Sequence, residues 1–179
     1  TQNVDRLHQR AGSQAVLDLH GRLDQVICLA CAHRRPRQDL QRELESANAA
    51  CFARWGARAF DQAPDGDVDL ESEDFSDFVV PACRRCGGML KPDVVFFGES
   101  VPRERVEQAW SALEQVDAVL VVGSSLMVHS GFRFVQRAAA AGLPIAALNR
   151  GHTRADDLLA LKLDHDCGSV FSAWGAAGL

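Results

Sequence analysis

The sequence predicts an α/β protein in which part of a parallel sheet, with helices on both faces, is joined to a small cysteine-rich module. Two observations predict the sheet: the runs 118–122 and 145–148 are entirely apolar, and a helical pattern lies between them. Strands without polar positions are typical of parallel sheets, because helices cover both of their faces. One observation predicts the module: a C-x-x-C pair lies at each end of the segment 28–86.

Composition divides the chain into three parts. Residues 1–27 are polar and interrupted by glycine, which predicts loops and short turns that feed a site. Residues 28–92 are expected to form a separate module, with a possible helix from Gln38 to about Ala49. Residues 93–179 alternate between strand and helix patterns. We therefore expect the second part to form a module of its own.

The module contains an acidic stretch at residues 61–77, with eight acidic residues and no basic one. Pro64 and Gly66 disfavour regular secondary structure within it. We interpret the stretch as a solvated, mobile insertion, since a charged segment of low hydrophobicity buries too little apolar surface to order itself. A docking surface for a protein partner is the alternative.

Strands and helices are expected to alternate from residue 94 onward, with Ser, Pro and Gly as boundary signals. The predicted elements are a strand at 94–97, a helix after Ser100 and Pro102, a strand at 118–122, a helix over about 131–141 that stops at Gly142, a strand at 145–148, and an apolar pair, Val170-Phe171, near the sheet edge. Parallel sheets bind ligands beyond the carboxyl ends of their strands. Gly123-Ser124-Ser125 and Asn149-Arg150-Gly151 follow two of these strands, which predicts a ligand site there.

Charge and hydropathy exclude several kinds of partner. The net charge is −5 and the pI about 5.6, whereas nucleic acids and anionic membranes attract basic surfaces. The short basic run at 33–37 is interpreted as a solvated face. No run of 18 apolar residues and no signal peptide is found, so we expect neither a membrane span nor secretion. The oligomeric state is not predicted.

The source of the chain is also suggested by its composition. Arginine outnumbers lysine 17 to 2, which indicates a GC-rich, bacterial genome. We expect a cytoplasmic protein if the source is bacterial and a mitochondrial matrix protein if it is eukaryotic. The chain starts at Thr1 within a motif, so it is interpreted as a fragment.

Four of the six cysteines have the spacing of metal ligands. Cys28 and Cys31 form one pair, and Cys83 and Cys86 form the other, so that two tight turns can aim four sulfurs at one point. Four thiolates in a tetrahedron are a preferred zinc site, and a fully occupied protein ligand set makes it structural rather than catalytic. Two redox dithiols or two disulfides are the alternatives. Cys51 has no partner at this spacing and is interpreted as a small core residue.

Taken in order, the motifs of this chain resemble those of the sirtuin (Sir2) family. The matching sequences are TQNVDRLHQRAG at the start, LHG at 19–21, the two C-x-x-C pairs, KPDVVFFGE at 91–99, VVGSSL at 121–126 and LNRG at 148–151. The acidic insertion and the FFGES stretch are most similar to the sirtuin-4-like, class II branch. The resemblance implies an NAD-dependent protein lysine deacylase built on a Rossmann-like NAD-binding domain with a zinc-binding module. Residues 1–27 and 93–179 would then belong to the Rossmann-like domain, the first as its catalytic loop segment, and residues 28–92 would form the zinc-binding module.

The resemblance also assigns the chemistry to particular residues. His20 of the LHG motif would be the general base that takes a proton from a ribose hydroxyl after the acyl oxygen of the substrate lysine attacks ribose C1′. An imidazole can accept a proton near neutral pH, which suits this role. Asn3 would position the ribose or a water molecule. A structural histidine at position 20, and simple turn capping by the amides of the first motif, are the alternatives.

The same resemblance implies two further groups of contacts. The residues expected to bind NAD are Gln2, Asn3, Val4, Asp5, Gly123, Ser124, Ser125, Asn149, Arg150, Gly151 and Cys167. The residues expected to pair with the backbone of an acyl-lysine peptide, as an added strand between the module and the main sheet, are Val95, Phe96, Phe97, Gly98 and Glu99. Cys167 could equally be a small buried residue.

One expected motif is not in this sequence. The family has a glycine-rich phosphate-binding loop ahead of its TQN motif, and the 179 residues contain no G-x-G-x-x-G. We therefore expect the chain by itself to bind NAD weakly, to expose a sheet edge and to be inactive or unstable. The alternative functions are protein mono-ADP-ribosyl transfer, lipoamide cleavage on the same scaffold, and a zinc-organised interaction module without catalysis.

Overall fold

A computed structural model of the protein describes residues 1–56 and 74–178. The acidic stretch predicted at 61–77 therefore lies mostly outside the described residues. The chain separates into two compact units: the first unit contains Thr1 and Asn3–Gly98, and the second unit contains Gln2 and Glu99–Leu179. The three-part division expected from composition stays a prediction. Within 1–56 and 74–178, no helix has both the length and the apolar character needed to cross a membrane.

The first unit is built on a three-stranded antiparallel sheet with the order β2-β1-β3. Its elements are α1 (Leu7–Arg10), β1 (Gly21–Cys28), β2 (Arg34–Pro36), α2 (Arg37–Ala47), α3 (Ala49–Gly56) and β3 (Leu90–Val94). The predicted helix from Gln38 to Ala49 is present as α2, and α3 follows it after Asn48. The predicted loop character of residues 1–27 is wrong from Gly21 onward, because β1 begins there.

Strand β3 is displaced from its predicted position. The apolar run 94–97 was expected to be the strand, but the paired residues are Leu90–Val94, which lie opposite β1. Phe96 is half exposed and Phe97 is fully exposed. Pairing with β1 decides the position, since Cys28 pairs with Leu90 and Gly21 with Val94 across an irregularity in β1. Hydrophobicity alone therefore located this strand four residues too late.

Helix α3 packs its aromatic residues against the chain that returns at residue 74. Trp55 lies 5.4 Å from the ring centre of Phe75 and 5.5 Å from that of Phe78. The buried Asn48 side chain donates to the carbonyl of Val79 at 2.8 Å and accepts from its amide at 2.6 Å. These contacts bring residues 48–56 and 74–79 together.

The second unit contains a three-stranded parallel sheet with the order β4-β5-β6. Its elements are α4 (Arg103–Leu113), β4 (Val119–Val122), α5 (His129–Ala140), β5 (Ile145–Leu148), a 3-10 helix (Asp156–Leu158), β6 (Leu161–Leu163) and α6 (Cys167–Ala176). The parallel sheet with its helices confirms the predicted α/β class. Both predicted apolar strands and both predicted helices are present within two residues of their expected bounds.

An apolar core holds this unit together. Val121, Phe132, Val135 and Ile145 are among its buried members, and they join β4, α5 and β5. Consecutive residues of β4 differ in solvent exposure: Leu120 is 52% exposed and Val121 only 8%. One side of β4 thus packs against the core, and its other side remains accessible within the described residues.

The last apolar pair, Val170 and Phe171, lies in helix α6. Its expected position near an edge of the sheet stays a prediction. Asp166 begins α6, since its carboxylate accepts hydrogen bonds from the amide and hydroxyl of Ser169. The pair was too short to show the helical period, whereas this N-terminal capping motif was visible in the sequence.

Candidate functional site

The four cysteines predicted as zinc ligands converge at one point of the first unit. All four Sγ atoms lie within 4.8 Å of one another. The Sγ atoms of Cys28 and Cys86 are 3.5 Å apart, and those of Cys31 and Cys83 are 3.8 Å apart. A regular tetrahedron with Zn–S bonds of 2.3 Å has sulfurs about 3.8 Å apart. The thiols therefore fit a zinc ion with four protein ligands, which is a structural zinc site.

Two similar turns aim these thiols. In the first turn (residues 28–33), the Cys28 amide donates to the His33 carbonyl at 2.9 Å. In the second turn (residues 83–88), the Cys83 amide donates to the Gly88 carbonyl at 2.8 Å. The first cysteine of each turn is buried, whereas Cys86 is exposed. Each turn thus places one thiol inside the unit and one nearer to its surface.

Hydrogen bonds give the thiols of Cys28 and Cys86 different pKa values. The amide of Cys31 donates to the Cys28 sulfur and, with the amide of Ala30, lowers the pKa of Cys28 to about 6 although lost solvation opposes this. The amide of Gly88 lowers the pKa of Cys86, but sharing a proton with the Cys31 and Cys28 sulfurs raises it overall to about 12. Four close thiols cannot all be ionised without a compensating cation, and a divalent metal would provide it.

The predicted general base, His20, lies in a tight turn that leads into β1. The Gly21 amide donates to the Asp18 carbonyl at 3.0 Å, and Gly21 has a φ of 89° that favours glycine. Leu19 is buried and anchors the turn, whereas His20 is partly exposed. The turn therefore fixes the backbone of His20 and leaves its side chain partly exposed at the surface.

The TQN segment runs beside this turn. The Leu19 amide donates to the Thr1 carbonyl at 3.1 Å, and the Leu23 amide donates to the Val4 carbonyl at 2.9 Å. Asn3 is exposed between these two contacts. The Asp5 carboxylate accepts from the Leu7 amide at 2.9 Å at the start of α1. The structure thus brings Asn3 and Val4 alongside the His20 turn, while the Asp5 carboxylate is hydrogen-bonded to the backbone of Leu7.

An ion pair that the sequence analysis did not identify fastens the same turn. The Asp18 carboxylate accepts from the guanidinium of Arg6 and, at 3.0 Å, from the side chain of Gln9. Asp18 lies two residues before His20 and is 84% buried as a side chain. The sequence alone did not indicate this role of Asp18, because Arg6 and Gln9 do not form a recognisable motif with it.

The residues predicted to bind a peptide follow β3. The Val95 amide donates to the His20 carbonyl at 2.8 Å, so the start of this segment lies directly beside the predicted base. Val95 is partly buried, and Phe96, Phe97 and Gly98 are exposed. The first unit therefore contains His20, Asn3 and the segment 95–98 close together. Glu99 belongs to the second unit and is exposed.

In the second unit, the strand ends meet at one edge of the sheet. The Gly123 amide donates to the Leu148 carbonyl at 2.9 Å, and the Asn149 amide donates to the Leu163 carbonyl at 3.1 Å. The Cys167 thiol donates to the Leu148 carbonyl at 3.5 Å. A side chain at Gly123 would lie 3.8 Å from the Cys167 sulfur. The structure thus collects three groups of predicted cofactor residues at the carboxyl ends of β4 and β5.

The two loops beyond these strands are tied together. The Arg154 amide donates to the Ser125 carbonyl at 2.8 Å, and its guanidinium donates to the Met127 carbonyl at 3.2 Å. The loop of Asn149 is itself anchored, because the Gly151 amide donates to the Asp164 carboxylate at 2.9 Å. Arg150 is exposed beside it. Neither Arg154 nor Asp164 is part of a recognisable sequence motif, since their partners are backbone groups of distant residues.

Gln2 joins the second unit through Ser124. The Ser124 hydroxyl donates to Oε1 of Gln2 at 3.0 Å and accepts from the Leu126 amide at 3.2 Å. Gln2 and Ser124, which were predicted separately as NAD contacts, are therefore in direct side-chain contact within the second unit.

Comparison with known proteins identifies what this chain is similar to. A family model described as the Sir2 family matches residues 1–130. The chain is 64% identical over 172 residues to a protein of Bordetella bronchiseptica named NAD-dependent protein deacetylase, a match that covers 96% of this chain and 61% of that protein. It is 49% identical over 170 residues to the protein of Bos taurus named NAD-dependent protein lipoamidase sirtuin-4, mitochondrial, covering 95% and 53%.

Solved structures give the same result for the fold. A complex described as Sir2 with a p53 peptide and NAD+ has a TM-score of 0.74 and 29% sequence identity, and the match covers 99% of this chain and 61% of that one. Sir2 bound to an acetylated peptide has a TM-score of 0.75 at 28% identity, with coverages of 99% and 61%. The chain thus spans between about half and two thirds of the length of the relatives it matches.

Proposed function

Because this chain belongs to the Sir2 family, we propose that it carries the catalytic residues of an NAD-dependent protein lysine deacylase. The observation that carries the proposal is the grouping of His20, Asn3 and the segment 95–98 within the first unit. The names of the relatives support it, since a bacterial relative is called an NAD-dependent protein deacetylase. A cytoplasmic location stays a prediction.

The proposed reaction transfers the acyl group of a modified lysine to ADP-ribose. The acyl oxygen attacks C1′ of the nicotinamide ribose, the bond from C1′ to nicotinamide breaks, and nicotinamide leaves with the electron pair. His20 then accepts a proton from a ribose hydroxyl, so that this oxygen can attack the acyl carbon. The bond from the acyl carbon to the lysine nitrogen breaks, the free lysine leaves with a proton, and a water molecule supplies the remaining hydroxyl group of the O-acyl-ADP-ribose product. The turn from Asp18 to Gly21 holds the backbone of His20 in place, and Asn3 orients the ribose by hydrogen bonds.

Two further groups of residues have proposed binding roles. Main-chain groups of residues 95–98, together with Glu99, would pair with the extended substrate peptide. The proposed NAD contacts are Gln2, Asn3, Val4, Asp5, Gly123, Ser124, Ser125, Asn149, Arg150, Gly151 and Cys167. The zinc ion, held by four cysteines, would stabilise the first unit and take no part in the reaction, because its ligand set leaves no open position.

The test is nicotinamide release from NAD by the purified full-length protein, measured with a panel of acetyl-, fatty acyl- and lipoyl-lysine peptides. We expect peptide-dependent release that falls by at least about 100-fold in His20→Ala, the usual size of a lost general base. His8→Ala is the matched control, since His8 is an exposed histidine of α1 in the same segment, and its release should equal that of the unmodified protein.

The panel also separates the alternatives. The lipoyl peptide is included because the bovine relative is named a lipoamidase. NAD cleavage that labels protein with ADP-ribose, and does not depend on an acyl peptide, would indicate a mono-ADP-ribosyltransferase. If folded, zinc-loaded protein released no nicotinamide with any peptide, the deacylase proposal would be wrong and the interaction module would be favoured.

A further inference from the structure

Gly131 is buried in the first turn of α5, where a side chain would meet Gln2. A Cβ atom built on Gly131 would lie 2.8 Å from both Cδ and Nε2 of Gln2 and 2.9 Å from its Oε1. Real Cβ atoms do not approach other heavy atoms this closely, so a larger residue forces a displacement. All of these atoms belong to the second unit.

The carboxamide that occupies this space is also the one that contacts the Gly-Ser-Ser loop. Oε1 of Gln2 accepts from the Ser124 hydroxyl at 3.0 Å, and this hydroxyl accepts from the Leu126 amide at 3.2 Å. Leu126 is buried in the apolar core with a φ of 57°. Gln2 is thus hydrogen-bonded to the central hydroxyl of this loop, and the same hydroxyl is hydrogen-bonded to the loop backbone.

We propose that Gly131 is a positioning residue for NAD binding: by lacking a side chain, it lets the Gln2 carboxamide rest on α5 and hold Ser124. This inference rests on the proposed function, which places Gln2 and Ser124 among the NAD contacts. The group that an added methyl would displace is the far end of a flexible side chain, and not backbone. Substitution at 131 should therefore disturb the Gln2–Ser124 contact and leave the fold intact.

The proposal can be tested because Gly131→Ala should weaken the interaction with NAD without lowering the stability of the fold. Alanine has a higher helix propensity than glycine, so a purely structural role for position 131 predicts an unchanged or higher melting temperature and unchanged kinetics. A positioning role predicts a weaker interaction with NAD in spite of a well-folded protein. Gly175→Ala is the matched control, because Gly175 lies in α6 and an added Cβ there would meet no described atom within 4 Å.

The experiment compares steady-state kinetics of the full-length protein and its variants with an acyl-lysine peptide held at saturation. We expect KM for NAD to rise about three- to tenfold in Gly131→Ala, the effect of losing one neutral hydrogen bond, with kcat within about twofold. Gly175→Ala should retain both constants. In a Gln2→Ala background, Gly131→Ala should add less than about twofold, because the group that it displaces is already gone.

A second measurement does not depend on activity. The side-chain amide signal of Gln2 in a nitrogen–proton NMR spectrum, identified by its loss in Gln2→Ala, should shift in Gly131→Ala and stay in place in Gly175→Ala. An unmoved signal together with an unchanged KM for NAD would overturn the proposal. Absence of any NAD-dependent activity in the unmodified protein would instead contradict the proposed function, and the amide signal would still report whether Gly131 positions Gln2.

Discussion

The two cysteine turns of the metal centre have the same backbone hydrogen bonds but different closing residues. In each turn the first cysteine donates its amide to the carbonyl five residues later and accepts from the amide four residues later. The first turn closes through Ala32 and His33, whereas the second closes through Gly87 and Gly88. Ala32 has a φ of 55° and Gly87 a φ of 73°, so both turns require the left-handed conformation at their fifth residue.

The two neighbouring glycines of the second turn therefore meet two separate structural requirements. Gly87 matches the backbone conformation, since an added Cβ there would meet no described atom within 4 Å. Gly88 has an ordinary φ but lies against the first turn: an added Cβ would be 2.7 Å from the Ala30 Cβ and 3.0 Å from the Cys28 sulfur. The second turn therefore packs onto the first, and His33, its counterpart, is exposed.

Removing a zinc ligand should change stability and zinc content more than any other substitution considered. The result should be the same whichever turn loses its cysteine. We expect Cys28→Ser and Cys83→Ser each to lose bound zinc and to lower the melting temperature strongly, because the binding energy of a structural zinc is part of the folding energy. Metal content by plasma mass spectrometry and thermal unfolding would measure this. Cys51→Ser, a buried cysteine outside the cluster, should retain one zinc per chain. Metal-free unmodified protein with the same melting temperature after chelator treatment would contradict the prediction.

The next largest effect is expected from a substitution to which only the second turn should respond. Gly88→Ala is expected to destabilise the first unit by about 1–3 kcal/mol, the usual range for overpacking, and to weaken zinc retention because the added methyl pushes on the Cys28 sulfur. His33→Ala, at the same place in the first turn, should change neither. Competition with a chromogenic chelator measures zinc retention, and urea unfolding measures stability. Equal zinc retention in the two variants would show that the second turn does not press on the first.

Residues whose role is set by local sequence were predictable, and residues whose role is set by distant pairing were not. The C-x-x-C spacing identified the four thiols, and the apolar runs located β4 and β5. The strand at 90–94 was misplaced because its register is set by β1, which lies more than 60 residues earlier in the chain. The close approach of Gly88 to Cys28 depends on the same pairing. The roles of His20 and the NAD contacts come from family resemblance and stay predictions.

A smaller effect should come from the backbone conformation of the second turn alone. Gly87→Ala is expected to destabilise the first unit by about 0–1.6 kcal/mol. A residue with a Cβ in the left-handed region costs about 1–2 kcal/mol, and the smaller freedom of the unfolded chain offsets about 0.4–1 kcal/mol of it. The surrounding space is open, so zinc retention should be close to that of the unmodified protein. Urea unfolding with a matched metal analysis would measure both quantities. A loss of zinc as large as that of Gly88→Ala would mean that the two glycines do not have separate purposes.

An effect of the same size but of opposite sign is expected in the first turn. Ala32→Gly removes the left-handed strain of about 1–2 kcal/mol but gives the unfolded chain more freedom, which costs about 0.4–1 kcal/mol. The net result should be a stabilisation of about 0–1.6 kcal/mol with unchanged zinc retention. Repeated urea titrations can resolve this difference if the slope of the transition stays constant. Since Ala32 and Gly87 occupy the same place in the same turn, the two substitutions exchange one residue type in opposite directions. A destabilisation by Ala32→Gly equal to that of Gly87→Ala would show that these turns do not share one conformational requirement.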